Sequence, residues 1–63
     1  MKVIQPKNNC VFVEDDLGDI HCFSYGSEVA AIKGYRYVEY DGPMYNSQTS
    51  RKHKRAFREY YGY

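Results

Sequence analysis

The chain has no tryptophan, only two prolines and two cysteines, and no long apolar run. Each shortage closes off a class of protein. No stretch approaches the ~20 apolar residues that a helix needs to cross a bilayer, and the opening residues Met1-Lys2-Val3-Ile4-Gln5-Pro6 lack the apolar core of a signal peptide. A cytoplasmic protein with no membrane partner is therefore expected. Cys10 and Cys22 are too few for a secreted disulfide scaffold, and cytoplasmic thiols stay reduced.

The same scarcity argues against a metal. Cys10, Cys22, His21 and His53 carry the right atoms for zinc, but eleven residues separate the cysteines where structural zinc knuckles use two to four. A hairpin with Val13 opposite Ile20 would also point the two thiols to opposite faces of a sheet. Four carboxylates crowd residues 14–19, without the twelve-residue spacing of a calcium loop, and a solvated turn is expected there. No nucleophile and base stand paired, no glycine-rich phosphate loop occurs, and 63 residues leave little room for a water-excluding pocket. The expectation is a non-enzymatic protein with no cofactor and no metal.

What the chain does have is tyrosine and divided charge. Eight tyrosines and three phenylalanines supply rings that serve a core and an interface equally well. The net charge of +1 hides a split: residues 1–48 carry four Lys/Arg against seven Asp/Glu, whereas residues 49–63 carry five against one. That asymmetry points either to a nucleic-acid or acidic partner for the basic end, or to pairing between the two halves.

Periodicity divides the chain at the same place. Cys10-Val11-Phe12-Val13 and Ile20-His21-Cys22-Phe23-Ser24-Tyr25 read as two strands around the acidic turn, while Pro6 and Asn8-Asn9 end the short apolar start. Val29-Ala30-Ala31-Ile32 and Tyr35-Arg36-Tyr37-Val38-Glu39-Tyr40 read as a second hairpin about a Lys33-Gly34 turn, against the alternative of a short helix capped by Ser27 and Gly34. Asp41-Gly42-Pro43 then ends the sheet. From Ser47 the period becomes helical: Thr49, His53, Ala56, Phe57 and Tyr60 form one stripe, and Arg51, Lys54, Arg55 and Arg58 form a stripe on the opposite side. Asn46, Ser47 or Thr49 caps the start and Gly62 the end. The expected fold is α+β, a single domain over residues 1–63, with a three- to four-stranded antiparallel meander (β-rich 1–45) packed against one C-terminal amphipathic helix (about 47–61).

Ser24-Tyr25-Gly26-Ser27-Glu28-Val29-Ala30, then Tyr35-Arg36-Tyr37-Val38, then Tyr45-Asn46-Ser47-Gln48-Thr49-Ser50-Arg51-Lys52-His53 followed by Phe57, resemble a family of short phage and mobile-element proteins of Gram-positive bacteria. That family carries a Ser-Tyr-x-Ser/Thr-x-Val-Ala strand before a Tyr-Ser-x-Thr-Thr/Ser-x-x-His-x-x-x-Phe helix. Asn46 between Tyr45 and Ser47 makes the match gapped at the helix start. The resemblance implies a phage-like context and a β-plus-helix fold, and brings no activity with it.

Two functional expectations result. The first is stoichiometric binding to a host or defence protein or nucleoprotein, through either the basic helix face or the acidic turn. The second is direct, weakly sequence-specific nucleic-acid binding, with Arg51, Lys54, Arg55 and Arg58 on phosphates and Tyr61 and Tyr63 stacking on bases. His53, on the apolar stripe beside Phe57, is expected to satisfy a buried polar group of the sheet. Exposed tyrosines and a free sheet edge leave room for a homodimer.

Overall fold

A computed structural model of the chain describes residues 1–42 and 47–63. Among these residues, strands β1 (Lys2–Lys7), β2 (Cys10–Glu14), β3 (Ile20–Ser24), β4 (Ser27–Lys33) and β5 (Arg36–Glu39) make one antiparallel sheet in sequence order. A single helix, α1 (Gln48–Tyr61), follows. The α+β architecture is as expected, with five strands in place of three or four. The additional strand is β1, which runs through Pro6 instead of stopping there. An edge strand tolerates proline, and the register shifts between Ile4 and Lys7, which takes up the irregularity.

Short turns hold the meander. Tyr25-Gly26 and Gly34-Tyr35 each place two consecutive residues at positive φ, the geometry whose twist matches that of flanking strands. The second turn is thus Gly34-Tyr35, one residue beyond the expected Lys33-Gly34. Residues 27–33 are strand, because Val29, Ala30 and Ile32 face the core together and extended pairing with both neighbours outweighs the helix propensity of Glu28 and the alanines. Val29 has no partner in β3, since Cys22 faces Ala30 and Phe23 faces Glu28. This bulge lets consecutive Val29 and Ala30 both join the core.

The register also corrects the cysteines. Val13 faces His21, and Phe12 faces Cys22. Cys10, Phe12 and Cys22 consequently share the helix-facing side and are fully buried, while His21 points to the other side. Burial pushes the Cys10 thiol up, and the Cys22 thiol up to about 12, so both are unreactive at neutral pH.

Ser47 caps α1: its hydroxyl accepts from the Ser50 amide at 3.2 Å, and Gly62 closes the helix at φ 79°. Asn46, another expected cap, lies outside the described residues, as does Pro43. The helix buries Ser50, His53, Lys54 and Phe57, with Ala56 and Tyr61 partly covered against the core. At 100° per residue this face is rotated by roughly 70° from the expected stripe of Thr49, His53, Ala56, Phe57 and Tyr60. Phe57 is its centre, with its ring 5.1 Å from Phe12 and 5.5 Å from Tyr61. The mean strand register leaves the opposite sheet face, with Val3, Val13, His21, Ala31 and Val38 in one transverse row, uncovered by the helix. No helix among the described residues is long and apolar enough to cross a membrane.

Candidate functional site

The helix turn rotates the expected cationic stripe partly out of solvent. Lys54 is 3% exposed: its ammonium donates to the Tyr40 carbonyl at 3.2 Å and lies 3.3 Å from Glu39. The helical period puts it on the outer face, where a charge normally sits, but a long stem can lie on apolar surface while its head meets a carboxylate at the sheet margin. Arg58 leans the same way, with its guanidinium 5.7 Å from the Tyr37 ring centre and 4.0 Å from Glu39. Arg55 is exposed and pairs with Glu59 at 3.5 Å. Arg51 is exposed, as is Lys52, and neither meets a carboxylate among the described residues.

Tyr61 is not available for base stacking. It is half-buried, its ring packs on Phe12, Phe57 and Tyr60, and its hydroxyl donates to Glu14 at 2.9 Å. Burial and that carboxylate push its ionisation up. Of the five residues expected to form a binding face, only Arg51, Arg55 and the outer part of Arg58 stay together on the surface; Lys54 and Tyr61 belong to the helix–sheet contact.

His53 satisfies a buried polar group, as its place beside Phe57 implied. Its Nδ1 lies 2.7 Å from the Ser24 hydroxyl, and both residues are at most 5% exposed. Burial, with help from Lys7, holds His53 below the ordinary histidine value. A serine against a neutral imidazole is the beginning of a hydrolytic dyad. This one is sealed in the core, with no cavity found among the described residues. It ties α1 to the end of β3.

The surface with most to offer is at the other end of the sheet. Lys2 pairs with Glu14, Ile20 with Ile32 and Lys33 with Arg36, so the chain start, the β2–β3 loop and the β4–β5 turn share one rim. Leu17 tops the loop at 89% exposed and Tyr35 tops the turn at 91%. Tyr35 holds φ 64°, a left-handed backbone that a bulky side chain adopts at a cost. The acidic loop beneath Leu17 is internally organised: Asp15 Oδ1 accepts from the Leu17 and Asp19 amides, each at 2.9 Å, and Asp19 accepts from the Gly34 amide at 3.4 Å. That last bond joins the two tips.

Behind the rim, on the open face, His21 lies between carboxylates. Its Nε2 is 2.8 Å from Asp15, its Nδ1 is 3.0 Å from Glu28, and Glu28 also accepts from the Tyr40 hydroxyl at 2.9 Å. Glu28 and then Asp15 raise the His21 value, and His21 in turn holds Asp15 low. With both ring nitrogens engaged, His21 is neither a free base nor a ready metal ligand. Sequence reasoning placed His21 only among potential zinc donors. Its partners depend on two registers, Val13 opposite His21 and Phe23 opposite Glu28, neither of which local preference fixes.

The class this fold defines is an α+β domain, a five-stranded antiparallel meander covered on one face by a C-terminal helix. No family model, curated protein or solved structure matches the chain. Of the described residues in the Ser24–Ala30 and Ser47–Phe57 stretches singled out in the sequence, Ser24, Val29, Ala30, Ser50, His53 and Phe57 are buried, Ser27 and Thr49 are half-buried, and Tyr25 and Ser47 are exposed.

Proposed function

We propose that the chain is a non-enzymatic binding module of a phage or mobile element, working in the bacterial cytoplasm by stoichiometric contact with a host or defence protein through the rim bearing Leu17 and Tyr35. The observation that carries this reading is the presentation of two large apolar side chains, almost fully in water, on linked tips at one end of the sheet. Interface energy concentrates in a few such anchors inserted into partner pockets, and tyrosine is prominent among them. Strain retained at Tyr35 favours the same reading, because an asparagine or glycine there would relieve it. The phage context rests on the sequence pattern alone.

The test is quantitative capture from a Gram-positive lysate, comparing wild type with Leu17→Asp and Tyr35→Asp. Wild type should retain a defined protein at fixed stoichiometry, and each variant should lose at least about tenfold in affinity, the ~1.4 kcal/mol expected of a modest anchor. Equal capture by all three, or turnover of a small molecule with no captured protein, overturns the proposal.

Direct nucleic-acid binding is the second reading, favoured by Arg51, Lys52 and Arg55 standing exposed on one helix side. It has fewer free charges than the sequence suggested. Any mobility shift should fall steeply with salt and vanish in Arg51→Glu/Arg55→Glu; its absence for wild type at low salt excludes this reading.

A further inference from the structure

The open face carries a chain of polar contacts that runs from the acidic loop to the far side of the sheet: Asp15, His21, Glu28 and Tyr40. The β2–β3 loop contributes Asp15, β4 contributes Glu28, and the residue after β5 contributes Tyr40, with Lys33 of β4 acting on Tyr40. Its direct cross-strand neighbours, Val13 of β2 and Ala31 of β4, are uncharged. Two anions thus face one ring, and Ala31 is fully buried beneath the cluster.

An imidazolium donates from both nitrogens, but a neutral imidazole donates from one and presents a lone pair at the other. A lone pair aimed at a carboxylate 3 Å away repels it, whichever tautomer forms. We infer that protonated His21 is a clasp joining the β2–β3 loop to β4 and Tyr40, and that loss of its proton uncouples the two sides and loosens the rim. The binding consequence rests on the rim being the contact surface; the clasp does not.

The pH window follows from the directions of the shifts. His21 is raised above its ordinary 6.5, so its stabilisation is complete below 6.5 and is lost as pH rises through the folded value. Asp15 is lowered from 3.8, so its share is present above 3.8 and is lost as pH falls through the folded value. The clasp is closed across the interval between and opens on either side. Among the described residues His53 meets no carboxylate, and burial shifts it down, which provides an internal contrast.

The test is a proton-detected titration of the isolated protein from pH 5 to 9, following both histidine rings and the backbone amides of Leu17, Asp19 and Tyr40. The expected result is a His21 midpoint above 6.5, a His53 midpoint below it, and loop and Tyr40 amides that move with His21. In His21→Gln, whose amide donates to one side only, these amides should be insensitive to pH over the same range and resemble wild type at high pH. Should that variant fail to fold, the wild-type midpoints and their coupling decide alone. A His21 midpoint at or below 6.5, or loop amides indifferent to it, overturns the clasp. Because no partner is needed, its failure is distinct from failure of the capture experiment.

Discussion

At the scale of single residues, Lys54, Arg55 and Phe57 separate what composition says from what position does. All three lie within one turn of α1, yet Phe57 is at the centre of the core, Lys54 is covered with its ammonium on Glu39 and the Tyr40 carbonyl, and Arg55 is in water. Phe57→Ala should cost about 3–5 kcal/mol and leave a domain this small unfolded or molten. Lys54→Ala removes a buried stem and takes the donor from the Tyr40 carbonyl and the exposed Glu39 carboxylate, and should cost about 1–3 kcal/mol, whereas Arg55→Ala should change stability by no more than about 0.5 kcal/mol. Thermal and denaturant melts of the three variants check this order. A Lys54 effect as small as that of Arg55 would mean that the helix is turned as the charge pattern alone suggests. Phe57 and His53 were legible as buried because they recur at helical spacing. Lys54 was not, because the carboxylate that covers its cost comes from β5, and no period along the helix contains that information.

At the scale of elements, the first two interior strands and the helix ends were readable because each has local chemistry behind it: β-branched and aromatic runs for β2 and β3, Ser47 and Gly62 for α1. Registers were not, since a shift by one residue preserves every local preference while exchanging the faces. That is how Cys10 and Cys22 came to share a face, and why the partners of His21 were hidden. The turn at Gly34-Tyr35 was missed for a related reason: tyrosine is a poor choice for a left-handed position, so the pattern favoured the preceding pair. The misfit has a measurable cost. Tyr35→Asn, which suits that backbone, should raise stability by roughly 0.5–1 kcal/mol and at the same time weaken capture of the partner. A more stable variant that binds as well as wild type would show that Tyr35 is not an anchor.

At the scale of the molecule, the uncovered sheet face invites the question of a second copy. Five strands at ~4.8 Å spacing and about five residues of ~3.3 Å each give a face of roughly 400 Å², half of the ~800 Å² per partner typical of a stable interface. His21, Glu28 and Tyr40 occupy part of it with polar atoms. Sedimentation from about 10 to 500 μM should therefore show a monomer, and a concentration-dependent dimer would assign this face a role beyond the rim. The order of the sheet has a different consequence. Since every strand pairs only with its neighbour in sequence, the chain can assemble one hairpin at a time, each closing in about 1–10 μs. The contacts that span most sequence are those that bring α1 back to the sheet, 29 residues from Ser24 to His53 and 47 from Glu14 to Tyr61. Contact order is accordingly low for a protein so rich in strand, and refolding should be rapid, with docking of α1 the step that converts a fluctuating sheet into the native state.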